Sequence, residues 1–344
     1  MTIGTTFQNR FAAPIVVPVE RQAETRLMTR VVLAAMWAVL SLAAGQQWFG
    51  DSPDLPNYLL YYQTIGPFFD LANSRFEYGF QIVSWLWSSL GLGYESLFVV
   101  MAGVSLGCKF YLFERYLRSP ILAAVSYILG FYLLHEYTQI RAAVGIGFAL
   151  LGIHAMLQRR WWMFAVFTIA GILFHYSMIV MPLVALGARQ IKGRVVIIAG
   201  ALILVAGSTI LPALQQLIVD VFSQFNPLTT AYVYNDLNAD GANILSFASV
   251  MTVGIIVWMV AIPSTSGNKY TRVFFGMTLM SYLSLVLLRD SLELALRLRD
   301  ALAVGIIFLV FREPISIRQI PPIILWFAAA AYLYYGYTTT QVLT

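Results

Sequence analysis

The chain has 344 residues, 60% of them hydrophobic and 11% charged, with a mean hydropathy of +0.76 and a net charge of +5. Continuous apolar runs of near-spanning length mark an all-α, polytopic membrane protein, and their lack of alternation excludes a β-barrel. The pI of 9.3 reflects loop arginines that set orientation, not a nucleic-acid surface; the lone Cys108 excludes an intrachain disulfide, and the three histidines show no metal-ligand spacing.

Residues 1–28 read as a cytoplasmic tail carrying Arg10, Arg21 and Arg26, and residues 29–344 as one transmembrane domain. The first apolar run, 31–46, follows Arg30. With Ala43-Ala44-Gly45 at its end it has the shape of a signal peptide, but it serves equally as a first span and is read as one. An acidic outer loop follows at 47–94, with Asp51, Asp54, Asp70 and Glu77. Within it the apolar stretch 77–90 is too short to cross, and its Trp85 and Trp87 suit an interfacial or re-entrant helix. Spans are expected at 95–113, 120–136 and 140–157. Residues 161–188 are expected to form a hairpin broken at His175-Tyr176-Ser177, and 195–212 a further span. A second outer loop at 213–242 carries Asp220, Asp236 and Asp240, and spans at 243–262, 272–288, 300–311 and 320–338 bring the total to about ten. This arrangement puts 16 of the 21 basic residues on the cytoplasmic face, with Lys109 among them, and leaves 12 of the 16 acids outside.

Five arginines fall on the acidic side: Arg75, Arg141, Arg289, Arg297 and Arg299. Arg141 opens a helix at its positive end, a poor place for helix stability and a good one for an anion. The bland alternative is a salt bridge to Glu136 or snorkelling to headgroups. Arg289, Glu293 and Arg297 follow an i, i+4, i+8 pattern that could be self-neutralising, yet Arg297 and Arg299 lead into a span, where charge is costly and tends to be functional. A guanidinium fork suits phosphate. A carboxylate beside an arginine-bound diphosphate, Asp54 or Glu77, could activate a hydroxyl; each could equally be a plain helix-start acid. His175 could hydrogen-bond a phosphate or sugar, and Tyr58, Tyr62 and Tyr78 could stack on sugar rings or sit in the interfacial belt.

Taken in order, Asp54-x3-Tyr58-x3-Tyr62, Phe76-Glu77-Tyr78-Gly79-Phe80, Gln139-Ile140-Arg141-Ala142-Ala143-Val144-Gly145, Arg159-Arg160 before Leu173-Phe174-His175-Tyr176-Ser177, and Arg297 resemble the EpsG-type branch of Wzy-like polysaccharide polymerases, from about residue 30 to 315. One departure is Ala142, where family members often carry Gln after the arginine. The resemblance implies a GT-C-like plan and polymerisation of lipid-linked repeat units at the outer leaflet of a bacterial inner membrane. Its substrate would be a polyprenyl-diphosphate-linked oligosaccharide, with membrane lipid around it and a chain-length regulator and a flippase as partners. Arg141 and Arg297, helped by Arg299, Arg289 or His175, would hold the diphosphate. No cofactor is required, although the Asp-containing loop leaves Mg²⁺ or Mn²⁺ open. Competing readings are another GT-C-type glycosyltransferase or glycan ligase, and a transporter or flippase of an anionic lipid-linked substrate, against which stands the lack of an internal repeat.

Overall fold

The computed structural model describes residues 19–65, 76–190, 246–261, 269–288, 292–312 and 319–342. The expected span at 195–212, the loop at 213–242, and Arg75, Asp70 and Arg289 lie outside them. Among the described residues all regular structure is helical. In chain order the helices are α1 (Val19–Gly45), α2 (Leu55–Thr64), α3 (Tyr78–Ser89), α4 (Tyr94–Tyr116) and α5 (Pro120–Tyr127), the last continued by a π-helix at Ile128–Thr138. Then follow α6 (Ile140–Leu157), α7 (Trp161–Phe174), a 3₁₀ turn at Tyr176–Ile179, and α8 (Val180–Gln190). The chain closes with α9 (Phe247–Ala261), α10 (Lys269–Leu287), α11 (Leu292–Ala303), α12 (Gly305–Val310) and α13 (Ile320–Val342).

Among the described residues five helical stretches are long and apolar enough to cross a membrane: Arg26–Gly45, Tyr94–Tyr116, Pro120–Thr138, Ile140–Leu157 and Lys269–Leu287. The other expected spans are shorter apolar helices or fall outside the described residues. Two boundaries differ from expectation. α1 begins at Val19, inside the expected tail. The expected span at 300–311 is two helices, α11 and α12, interrupted at Val304. α3, at 12 residues, is about 18 Å long and falls short of a crossing, as its length in sequence implied.

α6 is the axis of the bundle, packed against α4 on one side and α7 on the other. α1 lies antiparallel to α4, through Arg30–Glu114 at 2.6 Å near one end and Trp37 Nε1 donating to the Gly103 carbonyl at 2.6 Å further along. The break at His175 turns the chain back. α7 ascends α6, with Phe164 beside Gly152 and Gly171 beside Gly145, and α8 then descends from Met178, beside Gly145, to Ala188, against Gly276 of α10. Lys269 ties the start of α10 to the end of α6 through a 2.7 Å bond to the Leu157 carbonyl. The bundle therefore has one end at the start of α6, which carries Arg141, and an opposite end at its finish.

Lys109 corrects the sequence reading. It does not reach the basic face but is 0% exposed, as is Glu136, with which it pairs at 2.5 Å. Glu136 also accepts from Ser105 (2.9 Å) and Tyr127 (2.8 Å). The Ser105 hydroxyl also lies 2.7 Å from the Ala143 carbonyl, so its one proton is shared between the two acceptors, and Lys109 donates to the same carbonyl at 3.3 Å. Taking two ions out of water costs several kcal/mol each, so the pair depends on the hydrogen bonds that surround both groups. The network joins α4, the π-helix and the first turn of α6. It also disposes of the Arg141–Glu136 salt bridge as an alternative.

Candidate active site

Three segments converge at the Arg141 end. The Phe76-Glu77-Tyr78-Gly79 stretch opens α3, with Glu77 as its N-cap residue; the carboxylate makes no capping bond and turns instead to two other helices. Arg141, in the first turn of α6, donates through Nη1 to Glu77 Oε2. His175, at the break after α7, lies with Nδ1 2.6 Å from Glu77 Oε1. Arg141 Nε donates to Tyr58 on α2 at 3.2 Å.

The local sequence makes this convergence possible. A Cβ at Gly79 would lie 2.8 Å from the Leu173 carbonyl oxygen, so only glycine lets α3 approach the end of α7 closely enough to bring Glu77 to His175. A Cβ at Gly145 would meet Met178 Cγ at 2.7 Å and the Gly171 carbonyl at 3.1 Å, and would push the break away from α6. Gln81, one turn into α3, donates to the Phe76 carbonyl at 2.5 Å and fixes the backbone just before Glu77. Phe76, Phe80 and Tyr58 form an aromatic cluster, and the Arg141 guanidinium sits 4.7 Å from the Phe76 ring centroid and 5.5 Å from that of Tyr58.

The electrostatics follow from the geometry. Glu77 is 3% exposed. Burial raises its pKa, but the bond from His175, which becomes cationic at low pH, and the Arg141 charge outweigh burial and hold it at about 2. Glu77 is thus an ionised acceptor at neutral pH, so the Nδ1–H of His175 must be the donor and Nε2 carries the lone pair. Burial pushes the His175 pKa below 6.5 against the pull of Glu77, and the charges of Arg297 and Arg141 push the same way. A buried, neutral, correctly oriented imidazole is the product.

Beside this cluster lies a cleft of about 600 Å³ between the π-helix, α11 and α13. Leu129, Leu133 and Leu296 give it apolar walls; Arg297, Arg299 and Asp54 give it charge. Asp54 is the N-cap of α2 but makes no side-chain capping bond, which sets aside the plain-cap reading. Arg299 is shared: it bonds Asp300 through Nε at 2.7 Å and Nη2 at 2.6 Å, a self-neutralising pair between neighbours in sequence. Arg297 belongs to both parts, lining the cleft and acting electrostatically on His175.

Of the expected sugar platforms, Tyr58 is corrected: it is buried, packs on Phe76 and Phe98, and holds Arg141 rather than facing a ligand. Tyr62 donates to the Leu92 carbonyl at 2.6 Å, and Tyr78 stays exposed. Arg289 lies outside the described residues, as does the side chain of Glu293. Among the described residues no three His, Cys, Asp or Glu side chains are grouped to hold a metal ion. The Lys109–Glu136 network went unseen in the sequence, where its signal was one charge of each sign near the end of an apolar run.

No curated protein and no solved structure matches this chain. The family model described as the EpsG family matches residues 31–343, which is nearly the whole chain and takes in every element of the site. The chain belongs to the EpsG family, a polysaccharide polymerase-like family of membrane proteins.

Proposed function

We propose that this protein polymerises lipid-linked oligosaccharide repeat units at the outer leaflet of a bacterial cytoplasmic membrane. The observation that carries the reading is the meeting of Arg141, Glu77 and His175 beside a cleft that holds Arg297, Arg299 and Asp54. The polyprenyl-diphosphate donor enters sideways, its tail along Leu129, Leu133 and Leu296. Arg297 and Arg299 take the diphosphate, and Arg141 adds positive charge through the N–H groups that Tyr58 and Glu77 leave over.

A carboxylate held at about pKa 2 is a weak base. Glu77 therefore acts through His175 rather than on the substrate. The acceptor hydroxyl, aligned by Asp54, attacks the anomeric carbon of the growing chain. The bond from that carbon to the diphosphate oxygen breaks, and its electron pair leaves with the polyprenyl diphosphate. The hydroxyl proton passes to His175 Nε2, and Glu77 stabilises the imidazolium that forms. The charge stabilisation comes from arginines, so no step calls on a cofactor.

The test is the surface polysaccharide of a deletion strain complemented with Arg141→Ala at wild-type protein level. Chains longer than one repeat should disappear while the single lipid-linked repeat accumulates. Normal chain length would remove Arg141 from the reaction. Loss of all lipid-linked product from the outer leaflet would point to transport, and a wild-type protein that adds only one unit would point to a simple glycosyltransferase or ligase.

A further inference from the structure

Building on the polymerisation proposed above, in which Arg141 adds positive charge at the diphosphate, we infer that the buried Lys109–Glu136 pair, with Ser105, is a positioning device for Arg141. Arg141 lies where the π-helix gives way to α6. The junction residue, Gln139, has a non-helical backbone (φ −96°, ψ 54°), so the helix before it does not dictate the direction of the helix after it. The backbone bonds across the junction, from Gln139 N–H to the Leu134 carbonyl and from Ala143 N–H to the Gln139 carbonyl, both 2.9 Å, each stay on one side of it.

Lys109 bridges the two sides. Its ammonium has three protons and three acceptors: Glu136 Oε1 at 2.5 Å, Ser105 Oγ at 2.8 Å and the Ala143 carbonyl at 3.3 Å. Glu136 stands five residues before Arg141 and Ala143 two residues after it, so one side chain of α4 grips both limbs of the junction. Ser105, one turn earlier on α4, reaches the same two acceptors at 2.9 and 2.7 Å, and Tyr127 donates to Glu136 at 2.8 Å. Lys109, Glu136 and Ser105 are all 0% exposed, so water does not compete for these bonds. Ala143 is only about 3 Å further along α6 than Arg141, and a shift of that turn is passed directly to the guanidinium.

Stability does not account for burying this pair, because apolar groups of similar volume often serve as well or better. An apolar contact does not fix a direction. Hydrogen bonds from one ammonium to both limbs do, and they set where Arg141 stands relative to Glu77 and the cleft. Ionisable groups inside a spanning bundle are costly and tend to mark function. A displacement of about 1 Å at a transition-state contact costs about a hundredfold in rate. Arg297 and Arg299, on α11, are untouched by such a shift and continue to bind the diphosphate in the ground state.

Two readouts test the role on the full chain: kinetics in proteoliposomes with a polyprenyl-diphosphate-linked repeat unit, and amide hydrogen exchange of residues 139–145 in nanodiscs, which does not depend on turnover. Lys109→Met/Glu136→Met, compared with wild type at equal amounts of folded protein, should lose about a hundredfold in kcat, with KM for the donor changed less than about threefold. Its exchange across 139–145 should speed up by about tenfold or more. Ser105→Ala removes the bond to the Ala143 carbonyl and keeps the ion pair; it should lower kcat by about tenfold at unchanged KM, and it serves if the double variant does not fold. Wild-type turnover in the folded double variant, a loss carried by KM, or wild-type exchange at 139–145 overturns the positioning role and leaves the pair a structural one. If the wild-type protein forms no linkage, the proposed polymerisation is wrong, and exchange at 139–145 alone then decides whether the pair holds the turn that carries Arg141.

Discussion

Replacing Lys109 by Met leaves the Glu136 carboxylate buried without its cation. Glu136 keeps Ser105 at 2.9 Å and Tyr127 at 2.8 Å, but two neutral donors do not balance a charge at 0% exposure. Breaking a buried pair in this way costs about 3–5 kcal/mol. The partner experiment removes the charge as well. Lys109→Met/Glu136→Met replaces the pair with apolar groups of similar size and should come within about 1–2 kcal/mol of wild type, or exceed it, since such exchanges are often neutral or stabilising. Denaturant titration in lipid–detergent micelles, read by helicity, gives the four corners of the cycle. If Lys109→Met is as stable as wild type, or the double variant is less stable than either single one, the two groups are not the coupled buried pair described above.

Other outcomes follow from the site. If His175 is the base, kcat/KM for polymerisation should fall along an acid limb below pH 6.5, because His175 must be neutral to accept a proton and its pKa is lowered; an acid limb centred above pH 6.5 would remove His175 from that role. The lowered pKa of Glu77 also sets an acid lability. With 4.5 as its ordinary value and about 2 in the fold, its contribution of about 3 kcal/mol is complete above pH 4.5 and lost as pH falls toward 2, a trend that Glu77→Gln should flatten in melting temperature against pH. Gly79→Ala should cut turnover by about a hundredfold, because its Cβ meets the Leu173 backbone and displaces His175 from Glu77. Gly187→Ala, with open space around it, should leave turnover unchanged; equal losses in the two would show that the close approach of α3 to α7 does not matter.

Much of the fold was legible because the bilayer writes its thickness into the chain. The continuous runs that became α4, α6 and α10 could hardly be anything else, and α3 was too short to cross by simple length. The break at His175 showed as three polar-capable residues inside an apolar run. Glu77, Arg141 and His175 were each visible as chemistry out of place, but not their meeting. That meeting depends on Gly79 and Gly145 letting three helices approach more closely than side chains allow, a long-range property that no local pattern encodes. Lys109 and Glu136 were hidden for a different reason. Each lies near the end of an apolar run, so charge counting assigns them to opposite faces, whereas the helices carry them to the same depth. The π-helix was equally silent, because hydrogen bonds such as Gln139 N–H to the Leu134 carbonyl shift the register by one residue without changing composition.

In the proposed reaction one chain joins repeat units by breaking a sugar–diphosphate bond at the Arg141–Glu77–His175 cluster. Purified protein reconstituted into proteoliposomes with a single polyprenyl-diphosphate-linked repeat unit tests it directly. The wild-type protein should give a ladder of lengthened lipid-linked glycans, with one polyprenyl diphosphate released for each linkage formed, and His175→Ala or Arg141→Ala protein of wild-type stability should give none. A ladder of wild-type length from either variant would contradict it, as would no linkage formation by the wild-type protein with its repeat unit supplied.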